Sequence, residues 1–507
     1  MSVPFTRRGD VLQLGEQWDS ATGETTDPVI FDLSSHLAIL GITRCGKGVC
    51  FEMKNLLGGT IFNTSILNID PTGQNFAVCA EAWRKAGRKT YALNPKRLHV
   101  ENYPDMQSVG CNPMGRNLKV DDPDLFEKCI YIADAWDWST DGQRFFDDAG
   151  RFLVAGVIGY VKVRDRDDAN LATVLQLLME TEEFDEKDRP TKGLRATAVE
   201  MATCGVHSIA AVGARYIKDN RTIDSVRQTA ETAAQSLLSE TVRADLCKDG
   251  MDWTELARDP VYVSVIMPPK DLLFHKPWMR LMIVSALNAL YDKAGAFSVN
   301  TVFLLSEFFS LGANMKAVEA AMGAAAKYGC VMVPILQNWG QLVTLYGRDG
   351  AQTFIANTGA LLAFAPNDND TAAFLSDYAG EQWVVSESRS ENASGDVNVS
   401  VGLVREKRWS ASRLRDLPKH HALVWKYHNS EPVPVYMEPY FLDRQCLAVA
   451  RPDPFPHPPS TPETKETPVM SRALRWIGKK MLAALVIWLT LVAISTVWVV
   501  ISTALRS

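Results

Sequence analysis

The chain has 507 residues, 47% of them hydrophobic and 22% charged, a balance that a globular core with a solvated surface requires and that a chain of this length divides into two or three packed units. A formal net charge of -6 and a pI near 5.8 exclude a globally basic field, so any contact with nucleic acid has to come from a local patch or from the interior of an assembly. The nine cysteines (Cys45, Cys50, Cys79, Cys111, Cys129, Cys204, Cys247, Cys330 and Cys446) form no C-x-x-C pair and have no matching histidine spacing, which reads as reduced, cytoplasmic thiols and not as a disulfide frame or a zinc site.

Residues 1–10 carry Arg7 and Arg8 with no apolar stretch behind them, so no secretory signal is expected. From there, short apolar runs at 37–40, 66–69, 90–93, 261–267, 301–305, 331–336 and 360–364 alternate with helical patterns. Buried runs of strand length separated by helices predict a doubly wound α/β sheet. The rhythm breaks between 121 and 246, where 145–163, 171–180, 196–201 and 222–238 all read as helices, although Gly150, Gly156 and Gly159 weaken the first. An all-α insertion at 121–246 is therefore expected inside an α/β domain made of 1–120 and 247–450. The sign-alternating run 162–168 reads as a solvated helix end.

Beyond residue 450 come Pro452, Pro454, Pro456, Pro458, Pro459, Pro462 and Pro468, a density that predicts an extended linker over 451–470. Residues 481–505 then carry no charge, and a bilayer core needs about 20 apolar residues in a helix. A C-terminal transmembrane anchor is expected within 471–507. Arg472, Arg475, Lys479 and Lys480 precede the span against Arg506 alone after it, which places the body on the cytoplasmic side.

The chemistry concentrates at the end of the first apolar strand. Residues 36–40 run directly into Gly41-Ile42-Thr43-Arg44-Cys45-Gly46-Lys47-Gly48, and a helical pattern follows through Leu57. This is G-x-x-x-x-G-K in the strand–loop–helix context it needs: glycines let backbone N–H groups wrap a phosphate, and the lysine ammonium reaches the β/γ oxygens. Position 48 is Gly where the general motif has a Ser or Thr hydroxyl to ligand Mg²⁺. The run 301–305 continues into Ser306-Glu307, an acidic strand that offers Ser306 where an Asp usually holds the metal, and leaves Glu307 to orient or deprotonate an attacking water. His420-His421 with His428 lacks a third donor at ligand spacing and reads as a surface turn.

Taken in order, these stretches resemble the TraG/TraD family of type IV secretion coupling proteins over roughly 12–442. Thr43-Arg44-Cys45-Gly46-Lys47-Gly48-Val49 is similar to the family loop T-R-S-G-K-G-V, in which Gly after the lysine is common. Asn68-Ile69-Asp70-Pro71-Thr72-Gly73-Gln74 resembles D-P-K-G-E, with Thr72 and Gln74 in place of Lys and Glu. Asn94-Pro95 and Asn112-Pro113-Met114 fall where the family has N-P turns, and Arg144 to Ala149 resembles the start of its all-α domain, credited with meeting transferred substrate. Leu305-Ser306-Glu307-Phe308 is similar to L-D-E-F. Gln337, Gln341-Leu342 and Tyr346-Gly347 resemble the sensor region Q-S-x-x-Q-L-x-x-x-Y-G, while 414–442 resembles the closing strands.

The resemblance implies a RecA-like P-loop NTPase sheet, ATP and Mg²⁺ as cofactors, and a nucleotide loop made of Gly41, Thr43, Arg44, Gly46, Lys47, Gly48 and Val49. It gives Glu307 a catalytic role and Gln337 the sensing of the γ-phosphate. It further implies a homo-oligomeric ring at the bacterial inner membrane that passes single-stranded DNA, a relaxase or another secreted protein to the inner-membrane components of a type IV secretion channel. The family's arginine before the sensor strand has no counterpart among Ala324, Ala325 and Ala326, Lys327 being the nearest cation, and the family's transmembrane helices usually stand at the start of the chain. Ser306, Thr72 and Gln74 motivate a rival expectation, a docking receptor that uses nucleotide as a structural ligand with little or no hydrolysis.

Overall fold

A computed structural model describes residues 10–138, 144–217, 221–292, 296–312, 315–391, 397–426 and 431–455. Its strands in chain order are β1 (Leu12–Trp18), β2 (Thr25–Phe31), β3 (His36–Leu40), β4 (Ser65–Ile69), β5 (Lys89–Leu93), β6 (Glu183–Phe184), β7 (Pro190–Lys192), β8 (Val261–Val265), β9 (Thr301–Leu305), β10 (Cys330–Leu336), β11 (Thr358–Phe364), β12 (Glu381–Glu391), β13 (Val397–Lys407), β14 (His421–Lys426) and β15 (Val433–Tyr436). Eleven of them form one sheet in the order β2-β1-β15-β14-β11-β3-β10-β9-β4-β8-β5. From β11 to β5 every pairing is parallel, and from β11 outward through β14, β15, β1 and β2 every pairing is antiparallel.

The parallel half consists of the apolar runs that the sequence marks as strands. Strands covered by helices on both faces have no solvent side and read as unbroken apolar runs, and β3, β4, β8, β9 and β10 are buried at every position. Alternate side chains serve opposite faces: Ala38 and Leu40 of β3 join one core, Leu37 and Ile39 the other. The second core is closed by the helices Met53–Leu57 and Gln74–Lys85, with Trp83 fully buried and its indole N–H donating to the Leu56 carbonyl at 3.0 Å.

Between β5 and β8, after a loop region over 94–124, the described residues form helices and the short hairpin β6–β7. The helix Arg144–Asp165 runs through the centre of this region, and its glycines are packing sites: a Cβ at Gly156 would stand 2.6 Å from Val212 Cγ1, and one at Gly150 2.7 Å from Trp138 Cζ3. Helices pack close because these residues are small, which is why they do not break the helix. Asn112 ties this region down by donating to the Ala169 carbonyl at 2.8 Å, and Asn94 closes the turn after β5 by donating to the Leu98 and Met106 carbonyls.

Six strands have no counterpart among the predicted ones: β1, β2 and the hairpins β6–β7 and β12–β13. The last pair is registered from Glu381↔Lys407 to Glu391↔Val397 and exposes Trp383, Val385, Val401 and Leu403, so its apolar residues mark no buried layer. After β15 the chain remains bound to the body as far as Asp453: Arg451 pairs with Asp105 at 2.9 Å, Tyr103 Oη donates to the Pro452 carbonyl at 2.6 Å, and Gln74 Nε2 donates to Asp453. Residues 456–470 of the expected linker and the whole anchor 471–507, with its span 481–505, lie outside the described residues. Among the described residues no helix is long and apolar enough to cross a membrane.

Candidate functional site

Ligand sites of open α/β sheets form at the carboxyl ends of the strands, and there the structure places the candidate phosphate loop. The loop leaves β3 at Gly41, whose N–H donates to the Leu336 carbonyl at 3.0 Å and so fastens it to the end of β10. Arg44 (φ 65°) and Gly46 (φ 115°) are both left-handed, the backbone pattern from which anion-binding concavities of N–H groups are made. Gly41 is required by space: a Cβ would stand 2.8 Å from Cys45 Sγ and 2.9 Å from Phe364 Cδ2. Thr43 and Arg44 are exposed, Gly48 and Val49 half-buried, and the half-buried Lys47 donates its ammonium to the Gly41 carbonyl, folded across the loop it belongs to.

The helix expected to follow does follow, but its first turn, Lys47–Glu52, is π-helical, with the Met53 N–H bonded back to the Gly48 carbonyl before α-helix Met53–Leu57 begins. The closing segment holds this turn from outside, Tyr440 N–H donating to the Val49 carbonyl at 2.9 Å.

Two strands away, β9 ends in the buried Ser306 and then Glu307, a non-glycine residue held left-handed at φ 53° and ψ 42°. Such a conformation costs roughly 1–3 kcal/mol and persists where surrounding contacts enforce it, here Ser310, whose N–H and Oγ both donate to the Glu307 carbonyl at 2.8 and 2.7 Å. Gln337 follows the intervening strand β10, and its Nε2 donates to Glu307 Oε2 at 3.3 Å. Lys47, Glu307 and Gln337, spread over 290 residues of chain (337 minus 47), thus meet on one edge of three adjacent strands. Gln341 supports them, accepting from the Gln337 N–H at 2.8 Å.

The structure adds Glu52, which sequence reasoning missed, and places two residues the sequence had named without a settled role, Asp70 and His420. Glu52, buried, accepts from Ser306 Oγ at 2.6 Å and from Asn75 Nδ2 at 2.8 Å, both on Oε2. Burial pushes its carboxyl above the usual carboxylate range, opposed by those two hydrogen bonds and by the Lys47 charge. The one available signal was a lone carboxylate inside the otherwise apolar Val49-Cys50-Phe51-Glu52-Met53. Asp70 at the end of β4 is buried and pushed up to about 7 by that burial, with the nearby Glu52 adding to the shift and the Phe76 N–H, 2.9 Å from Oδ2, opposing it. His420 is the third: it lies in a turn, as expected, but half-buried, with its ring at the loop, where a Cβ on Gly46 would lie 3.2 Å from Cδ2, while His421 belongs to β14.

Thr72 and Gln74 do not join the phosphate loop in hydrogen bonding. The Thr72 carbonyl lies 3.0 Å from His99 Nε2, and Gln74 Nε2 donates to both oxygens of Asp453 at 2.9 and 2.8 Å. Among the described residues no three His, Cys, Asp or Glu side chains converge as a metal site.

Residues 4–450 match the family model described as Type IV secretory system Conjugative DNA transfer. The chain belongs to that family, the TraG/TraD coupling proteins of type IV secretion. Among curated relatives, the conjugal transfer protein TraG of Rhizobium radiobacter is 24% identical over 343 residues, 64% of this chain and 49% of that protein. Protein VirD4 of Rhizobium rhizogenes is 24% identical over 359 residues, covering 68% of this chain and 49% of its own. This coupling-family chain therefore spans about half the length of those relatives. Among solved structures, the bacterial conjugative coupling protein TrwBdeltaN70 in complex with sulphate superposes with a TM-score of 0.61 at 15% identity, over 86% of this chain and 96% of that one. The plasmid coupling protein TrwB in complex with ADP and Mg²⁺ gives a TM-score of 0.58 at 17% identity, over 86% and 96%. The shared fold is a large mixed sheet with a parallel half between helices.

Proposed function

We propose that this coupling protein binds ATP with Mg²⁺ at the loop around Lys47 and uses hydrolysis to move single-stranded DNA, alone or with a bound relaxase or other protein, into a type IV secretion channel. It works as a ring of like subunits at the bacterial inner membrane, its body in the cytoplasm, tethered by the span 481–505 through the linker 451–470. The observation that carries this reading is the convergence of the Lys47 loop, Glu307 and Gln337 on one sheet edge. The TrwB complex with ADP and Mg²⁺ supports the same cofactors here.

Each side chain has a physical task. The loop amides and Lys47 hold and screen the phosphates, in a position fixed before substrate arrives. Gln337, bonded to Glu307, couples the γ-phosphate position to the group that orients or deprotonates water. Ser306 and Glu307 at this edge are oxygen donors that would suit a hard cation such as Mg²⁺. Bound there, Mg²⁺ would neutralise charge developing on the β/γ oxygens. The helical insertion 121–246 is the part that meets cargo, and Phe145, 60% exposed at the start of the helix Arg144–Asp165, stands at its surface.

The test is ATP turnover by the full-length protein with and without single-stranded DNA. Turnover stimulated by DNA is expected, and Lys47→Ala should weaken nucleotide binding about 10- to 100-fold, the worth of a charge-assisted contact. Bound nucleotide without turnover under either condition would remove the motor. That outcome would select the docking receptor, which the missing hydroxyl at Gly48 and the missing Asp at Ser306 favour. In a receptor Ser306→Asp should create or raise hydrolysis, whereas a competent motor gains little.

A further inference from the structure

Ser306 leaves the acidic strand without the carboxylate that normally orders the metal's water, yet a carboxylate stands within hydrogen-bond distance of that hydroxyl. Glu52 Oε2 accepts from Ser306 Oγ at 2.6 Å, and Asn75 Nδ2 fixes the same oxygen from the other side at 2.8 Å. We infer that Glu52, presented by the helix that opens at the phosphate loop, takes over the metal-ordering role of the strand-end carboxylate, with Ser306 as its positioning partner. The inference rests on the nucleotide site proposed above and adds a residue to it.

Three independent features carry it. The first is backbone geometry. In an α-helix residue 52 would point about 140° away from residue 47, five steps on at 100° each. The π-helical turn Lys47–Glu52 winds less per residue, so residue 52 stands closer in angle to residue 47 than an α-helix would place it, and the Lys47 charge favours the carboxylate's anionic form. Single π-helical turns are rare and are found frequently at functional sites.

The second is the cost of burial. Glu52 is 6% exposed, and a carboxylate in that position is expensive unless charge and hydrogen bonds compensate it. An apolar residue would fill the same helix position beside Phe51 and Met53 at lower cost, so the burial calls for a purpose beyond packing. The third is complementarity at the partner position: a serine hydroxyl is small enough to leave room for the incoming carboxylate, which a strand-end Asp would repel at this distance. Loss of the acid at 306 and its presence at 52 are two halves of one exchange across the β9–helix contact.

The experiment uses the full-length protein with ADP, first without metal and then titrated with Mn²⁺ read by electron paramagnetic resonance. Glu52→Gln keeps an acceptor for Ser306 and Asn75 while removing the charge. Its Mn²⁺ affinity in the ADP complex should fall about tenfold or more, the usual effect of losing an outer-shell carboxylate, with metal-free ADP affinity unchanged. The double variant E52Q/S306D, which returns the acid to the strand, should recover the Mn²⁺ affinity. Unchanged Mn²⁺ affinity in Glu52→Gln, or an equal loss of metal-free ADP binding, would overturn the inference while leaving the phosphate loop intact. Failure of the parent protein to bind ADP with or without metal would instead remove the nucleotide site itself.

Discussion

Gly46 and Gly48 flank the lysine of the phosphate loop and face opposite steric demands. Gly46 sits at φ 115°, and a Cβ there would stand 2.8 Å from Cys50 Sγ, so Gly46→Ala combines backbone strain with a clash. It should cost about 1–3 kcal/mol of stability and weaken nucleotide binding, both readable by thermal denaturation with and without ADP. At Gly48 a Cβ meets nothing within 4 Å, so the pocket has room for the hydroxyl that the general motif carries. Gly48→Ser should change stability by no more than about 0.5 kcal/mol and tighten binding of ADP with Mg²⁺ relative to ADP alone, checked by calorimetric titration. Both glycines were legible in the motif. Their different tolerance was not, because it depends on Cys50 and on space that only the folded chain defines.

At the scale of elements, β10 shows how a proline is accommodated in a central strand. Pro334 has no N–H to give, and the ladder to β3 covers only Ile335↔Ile39 and Leu336↔Leu40. Two residues before the proline, the Met332 N–H donates instead to His36 Nδ1 at 3.1 Å, so a side chain of β3 completes what the backbone leaves open. That acceptor role needs a neutral ring, and burial lowers the His36 pKa from 6.5 to about 4, with a hydrogen bond to the Ala321 backbone opposing the shift. A depressed folded-state value contributes stability that is complete above pH 6.5 and lost as pH falls towards 4, on the order of 3 kcal/mol. Acid titration of the melting temperature should show that decline, and His36→Gln should flatten it over the same window. The seven apolar runs read as strands became β3, β4, β5, β8, β9, β10 and β11, since double-sided burial leaves a continuous apolar signature. β1 and β2 escaped notice because their burial is partial, and β12–β13 because its side chains are exposed.

At the scale of the whole molecule, the two ends of the body depend on each other. β1 reaches the sheet only through β15, which pairs Glu16↔Tyr436 and Gln17↔Val435 on one side and joins β14 on the other. The residues just after β15 also clamp the phosphate-loop helix, through Tyr440 on Val49 and through Asp443 and Glu438 on Lys54. A chain ending at residue 431 should therefore lose both β15 and the clamp, become sensitive to proteolysis across β1 and β2, and lose nucleotide binding. A chain ending at 455 should keep both properties, as limited proteolysis and ADP titration can establish. Stripping a strand between two others leaves unpaired backbone on each side, which is why the effect reaches residues more than 400 positions away, from 436 back to 16.

What the sequence by itself determined is local in character: the buried parallel strands, the strand–loop–helix around Lys47 with its glycines, and the acid at Glu307 beside its altered neighbour Ser306. Such features are written in adjacent residues, through apolar runs and backbone preferences. Tertiary structure alone decided that Gln337 bonds Glu307, that Glu52 meets Ser306 across 254 positions, and that Gln74 faces Asp453 instead of the phosphate loop. Those contacts depend on strand order and on the π-helical register of one turn, and a hydrogen bond of a few ångströms between distant residues leaves no trace in the spacing of either.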